Sequence, residues 1–181
     1  LATPQVGPSR CWHPIRYPDR VRALIRVDPA IYESRAAPRW ATPLPQTPQL
    51  RRLGPFLVRS TATRGEDLIL QAWHDPTRVT PEILQGYRKP LQAENWDRAL
   101  WELTAATTSL DLSGQLAKVR QPTLVITDGD DRIVPAQNSI RLARELATAQ
   151  LVILPGCGHL PQEECAPGFL KAVSDFLELL P

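Results

Sequence analysis

The chain has 181 residues, of which 43% are hydrophobic and 22% charged, with a formal net charge of +2. That length suits one domain, or a small core carrying an insertion. Charges of both signs are interspersed and form no basic face of the kind nucleic acid requires, and no run approaches the roughly eighteen apolar residues of a membrane span.

The first residues, with Pro4, Pro8 and Arg10, lack the apolar stretch of a secretory signal. Cys11, Cys157 and Cys165 are odd in number and lack metal-site spacing, which predicts free thiols in a reducing, cytoplasmic setting. The chain opens on Leu1 rather than Met, as expected of a chain truncated upstream.

Taken in order, Arg20 to Val27 reads as a buried parallel strand ended by Asp28-Pro29, with Arg26 interrupting its apolar run. Prolines crowd Pro38 to Pro48, which reads as a linker. From Tyr32 to about Thr108 no strand pattern occurs. Thr80-Pro81-Glu82 supplies a capping hydroxyl, a first-turn proline and an acid, and so opens a helix. Asn95 to Thr107 spaces Trp96, Leu100 and Leu103 for a helix that packs one face.

Beyond Asp111 the sheet resumes with a strand from Thr123 to Thr127. A helix runs from Pro135 to about Ala147, with Ile140, Ala143 and Ala147 beside Leu142 and Leu146 on a broad apolar stripe. The strand Leu151 to Leu154 follows. A last helix starts at Pro167, and Leu170, Val173, Leu177 and Leu180 have the spacing of its core face. Two strand–helix units of this length imply parallel strands with right-handed crossovers, and the class is α/β. Three segments result: a residual N-terminal core segment, 1–31; a mostly helical cap, 32–110; and a C-terminal core, 111–181.

Two strand ends carry polar groups. Asp128, Asp130 and Asp131 follow the first of these C-terminal strands, and His159 follows the second in Gly156-Cys157-Gly158-His159. In an open parallel sheet, ligand and catalytic groups gather beyond the carboxyl ends of strands. An imidazole accepts a hydroxyl proton near neutrality when an anion fixes its tautomer. Asp128 and Asp130 have the character of turn formers whose side chains bond nearby backbone. Read as a divalent-metal loop, the three acids give an incomplete ligand pattern, so no metal and no cofactor is expected.

Four stretches, in order, resemble the C-terminal two-thirds of a cap-bearing α/β hydrolase. They are Tyr17-Pro18-Asp19-Arg20-Val21-Arg22-Ala23-Leu24-Ile25, then Val27-Asp28-Pro29-Ala30, then Gln121-Pro122-Thr123-Leu124-Val125-Ile126, and the acid and histidine loops. The resemblance implies a partial α/β-hydrolase fold with an inserted helical cap. It also implies a Ser-Asp-His triad, with Asp131 as the acid, since the family places its acid directly before an Arg-Ile-Val-Pro-like stretch, and His159 as the base. The implied activity is hydrolysis of carboxylic esters or similar small apolar molecules. Dehalogenases, epoxide hydrolases and carbon–carbon bond hydrolases share the family.

The nucleophile elbow is degenerate. In Gly7-Pro8-Ser9-Arg10-Cys11, Ser9 stands in the nucleophile position, but Cys11 replaces the second glycine and Pro14 blocks a following helix. His13 and His74 have no acid at family spacing and are expected at the surface. The alternative function is a truncated or frameshifted, non-catalytic remnant or binding module of the same fold.

Overall fold

The computed structural model describes residues 14–15, 17–32, 47–62, 64–106 and 113–180. Pro14 and Ile15 are helical, and the first element described from end to end as a strand or α-helix is strand β1 (Leu24–Val27). Helices α1 (Pro48–Ala62), α2 (Gly65–Ala72), α3 (Pro81–Arg88) and α4 (Trp96–Ala106) follow. Then come strand β2 (Thr123–Asp128), helix α5 (Ala136–Glu145), strand β3 (Ala149–Leu154), and helices α6 (Pro161–Glu164) and α7 (Ala166–Glu178). The chain divides into two compact units. One comprises Leu1–Glu33, Gln71–Asp75 and Asp111–Pro181; the other comprises Ser34–Leu70 and Pro76–Leu110.

The first unit is built on a parallel sheet in the order β1-β2-β3. Central β2 is buried at every position, as its run Thr-Leu-Val-Ile-Thr-Asp requires of a strand covered on both faces. Its alternating side chains feed two cores. Leu124 and Ile126 pack with Leu154, Phe169 and Phe176, whereas Val125 packs on the other face with Leu116, Val119, Leu142 and Leu146.

The sequence places the start of the first strand at Arg20, but β1 starts at Leu24. Pro18–Arg20 wind into a 3₁₀ turn closed by the Val21 N–H on the Pro18 carbonyl at 3.3 Å. The first bond to the neighbouring segment is Leu24 N–H to the Pro122 carbonyl at 2.9 Å. Residues ahead of Leu24 find no ladder, because Pro122 has no N–H to give and Ser113–Lys118 upstream is itself a 3₁₀ turn.

The core face of α7 also departs from expectation. Phe169, Ala172 and Phe176 are buried and the expected Val173 and Leu180 pack partly buried against the same core, while Leu170 and Leu177 are exposed. Two adjacent stripes of this helix have apolar spacing, and the stripe with two phenylalanines removes more area from water. On α5, Leu142 is buried, as is Leu146 just beyond its end, whereas Ala147 is exposed.

In the second unit the expected capping of α3 is present: the Ile83 N–H reaches the Thr80 hydroxyl at 3.4 Å. Helix α4, however, does not bury Leu100 or Leu103, both of which are exposed. It turns Asp97 and Ala105 inward instead, and Arg59 of α1 donates to the Asp97 carboxylate at 2.7 Å. Gly54 on α1 receives the Trp101 ring, which lies so close that a Cβ there would sit 2.0 Å from ring carbon Cδ2. An absent side chain on one helix makes the seat for a large one on another.

The free-thiol expectation fails for two of the three cysteines. Cys157 and Cys165 form a disulfide with Cα atoms 6.0 Å apart, and Cys11 lies outside the described residues. The reducing compartment read from free thiols loses that support. No helix among the described residues is long and apolar enough to cross a membrane.

Candidate active site

The acid loop begins where β2 ends. Asp128 accepts the Asp130 N–H at 2.5 Å, so its side chain shapes the turn as expected. Asp131 follows, and its Oδ1 accepts the N–H groups of Ile133 at 2.6 Å and Val134 at 2.8 Å. Those bonds fix the carboxylate plane and leave Oδ2 directed elsewhere.

The histidine loop begins where β3 ends. Gly156 turns the chain at φ +69°, a backbone conformation that favours glycine. Gly158 is needed for closeness: a Cβ there would lie 2.3 Å from the Ala72 carbonyl oxygen and 2.5 Å from the His74 nitrogen. His159 is then held by its own N–H on the Ala72 carbonyl at 2.7 Å. Glu164, 3% exposed, accepts from the N–H groups of Gly158 at 2.7 Å and of His74 and Asp75 at 2.9 Å each. One buried carboxylate thus ties the loop to the Gln71–Asp75 segment of the same unit, and the Cys157–Cys165 bridge closes the loop from the other side.

Between the two loops, His159 Nδ1 lies 2.7 Å from Asp131 Oδ2, with the two side chains 9% and 0% exposed. A carboxylate oxygen accepts, so Nδ1 carries the hydrogen and Nε2 is left with its lone pair. Burial pulls the imidazole pKa down. The hydrogen bond to Asp131 and the charges of Asp131, Asp28 and Asp128 together outweigh it, and His159 ends above its ordinary value.

Asp28, which ends β1, completes the cluster. One ligand atom each from Asp28, Asp131 and His159 lie within 4.8 Å of one another. Burial pushes the Asp28 carboxyl up to about 7 against the lowering hydrogen bond from Thr127, with Asp131 and Asp128 adding repulsion and His159 opposing it. Burial likewise raises Asp128 to about 6, against the lowering bond from the Asp130 N–H. A divalent cation could draw on these three residues. It would compete for oxygens of Asp131 and a ring nitrogen of His159 that already bond one another or the backbone.

Of the residues marked in the sequence, Asp131 and His159 come together, while Ser9 and His13 lie outside the described residues. His74 keeps 39% of its side chain exposed, and its Nδ1 lies 3.1 Å from Asp130 Oδ2, a pairing hidden from sequence because the partners are distant along the chain. Asp28 and Glu164 carry no functional role in the sequence reading. An acid closing a parallel strand was the available signal for Asp28. For Glu164 the sequence holds no comparable sign.

The alpha/beta hydrolase family matches residues 6–172. The 2-hydroxy-6-oxo-6-phenylhexa-2,4-dienoate hydrolase of Comamonas testosteroni is 29% identical over 168 residues, covering 90% of this chain and 56% of that protein. Its namesake from Burkholderia cepacia is 34% identical over 106 residues, covering 57% and 37%. The chain therefore spans about half, or less, of the length of these relatives. Among solved structures, a meta-cleavage product hydrolase from Pseudomonas fluorescens aligns with a TM-score of 0.72 at 18% identity, over 98% of this chain and 63% of that one. A thermophilic esterase from Thermogutta terrifontis aligns with a TM-score of 0.69 at 21% identity, over 92% and 59%. At such identities the structural likeness is one of fold. With the family pattern running through nearly its whole length and the parallel sheet to match, the chain belongs to the alpha/beta hydrolase family.

Proposed function

We propose that the chain carries the acid–base half of a hydrolase that attacks a carbonyl carbon of a small organic molecule, with His159 as general base and Asp131 as its partner. The observation that carries this reading is the 2.7 Å contact between His159 Nδ1 and an Asp131 carboxylate fixed by two backbone N–H groups. With Nδ1–H donated to Asp131, Nε2 can take a proton from a hydroxyl nucleophile as that oxygen bonds to the carbonyl carbon. The imidazolium so formed lies against the carboxylate, and it returns the proton to the leaving group when the adjacent bond breaks. Ser9 is the candidate nucleophile that the sequence offers.

The substrates named for the sequence relatives are 2-hydroxy-6-oxo dienoates, which hold a ketone and a carboxylate but no ester. Hydrolytic scission of such a molecule breaks a carbon–carbon bond beside the ketone. We assign this chain to keto acids of that kind ahead of simple esters, because sequence relatives at 29% and 34% identity weigh more on chemistry than an esterase alike in fold.

The test is turnover of a 2-hydroxy-6-oxo dienoate and of a p-nitrophenyl ester by the parent protein and by His159→Ala, Asp131→Asn and Ser9→Ala. Loss of the base should lower kcat by roughly 10²–10⁴-fold. A His159→Ala protein that turns over at the parent rate overturns the reading. Faster scission of the ester than of the keto acid overturns the substrate choice alone.

A further inference from the structure

Asp28 has no part in the reaction just described, yet it is placed for one. The residue is 1% exposed and sits at φ +41°, in the left-handed region that Asp tolerates better than most residues. The Thr127 hydroxyl donates to its Oδ1 at 2.8 Å, while Oδ2 is buried without a hydrogen-bond partner among the described residues. An ionised oxygen in that state costs far more than a protonated one, because an unpaired buried charge is worse than an unpaired buried hydroxyl. Asp131 and His159 lie within the same 4.8 Å cluster. A negative Asp28 therefore repels Asp131 and attracts the imidazolium, so the charge on Asp28 depends on the charge of the ring.

We propose that Asp28 is a positioning acid of the His159 site: the two residues share one exchangeable proton, which rests on the Asp28 carboxyl while the imidazole is neutral and on the ring when Asp28 is ionised. Each form holds a single proton and the same net charge. Storing that proton on Asp28 leaves Nε2 of His159 free to act as a base. The groups facing the pair are Asp131 from the acid loop and Asp128 from the end of β2, both of which favour a protonated imidazole and disfavour an ionised Asp28. Burial raises Asp28 to about 7, the acids around His159 outweigh burial and raise it as well, and two titrating groups held within 4.8 Å of one another give macroscopic steps that belong to the pair rather than to either residue.

The proposal rests on His159 serving as the proton acceptor, and it is tested at equilibrium without substrate. The ring of His159 is followed by NMR, and the carbonyl stretch of protonated carboxyl groups by infrared spectroscopy, from pH 4 to 9 in the parent, Asp28→Asn and Thr127→Val proteins. In the parent, His159 should titrate in two steps, with a carboxyl band lost over the same interval. Asp28→Asn should remove that band and leave one His159 step, displaced to lower pH. Thr127→Val keeps the shape of the strand and removes the hydroxyl that favours ionised Asp28. It should move the carboxyl midpoint up and the His159 midpoint down, although Thr127 bonds only Asp28 among the two. A His159 curve of one step, unmoved by either substitution, overturns the sharing, as does an Asp28 carboxyl already ionised at pH 5. Since no turnover is measured, either result leaves the kinetic test of His159 standing, and failure of that kinetic test leaves the shared titration to be judged separately.

Discussion

Replacing Glu164 should loosen the histidine loop at a cost set by three hydrogen bonds. Its Oε2 accepts the N–H groups of Gly158 and His74, and its Oε1 accepts that of Asp75. In Glu164→Gln the amide oxygen can serve the two donors that share Oε2, which turns the new NH₂ group on the Asp75 N–H. One buried donor set against another should cost about 2–3 kcal/mol. Glu164→Ala leaves all three donors without an acceptor, at about 1–3 kcal/mol each, or roughly 3–6 kcal/mol once water and small shifts relieve part of the loss. A domain has about 5–15 kcal/mol in hand, so the alanine variant should approach the unfolding threshold. For a chain of this size the glutamine variant should melt roughly 5–10 °C lower. Urea unfolding followed by tryptophan fluorescence measures the free energy, and amide exchange at Gly158, His74 and Asp75 tests its location. An alanine variant within about 1 kcal/mol of the parent, with those three amides still protected, would refute the reasoning.

Two further outcomes follow from the same unit. Gly158→Ala should destabilise by about 3 kcal/mol or more, because the new Cβ meets backbone of Ala72 and His74 that cannot rotate away, and thermal unfolding would record it. Stability should also fall as pH rises. Asp28 is raised from 3.8 to about 7 in the folded protein, so folding binds an extra proton between those values, and on the order of 4 kcal/mol is lost across the interval. Raised Asp128 and His159 act in the same direction. Denaturant midpoints measured from pH 4 to 8 should slope downward in the parent and less steeply in Asp28→Asn.

The parts of the site that could be read from sequence were those fixed by short-range pattern. An apolar run followed by turn residues locates a strand end, and two such ends located the loop of Asp128, Asp130 and Asp131 and the loop of His159, with Asp131 chosen among the three by the family resemblance. Helix faces were harder to read. On α7 the stripes through Leu170 and through Phe169 both satisfy helical spacing, and only packing against Leu124 and Ile126 selects between them. Pairings across the chain left no local trace. Asp28 meets His159 because β1 and β3 flank the same strand, and Glu164 meets His74 because Gln71–Asp75 belongs to the first unit. The cysteine count misled for a similar reason. Cys157 and Cys165 reach one another only because the chain between them folds back through the short helix α6.

The register of the sheet bears on the order in which it assembles. Leu24 lies opposite Thr123, about a hundred residues away, whereas Thr123 lies opposite Ala149, about 26 residues away. Closing the longer loop costs about 1 kcal/mol more in chain entropy, before any ordering of the segment within it. The strand–helix–strand unit of β2, α5 and β3 therefore has the shorter search, and it can bury Val125 against Leu142 and Leu146 with no help from the N-terminal strand. Strand β1, which closes the longer loop, is expected to dock onto this template afterwards. Asp131 and His159 are then brought together by the fast-forming half, and the cluster around them closes only when β1 arrives and delivers Asp28.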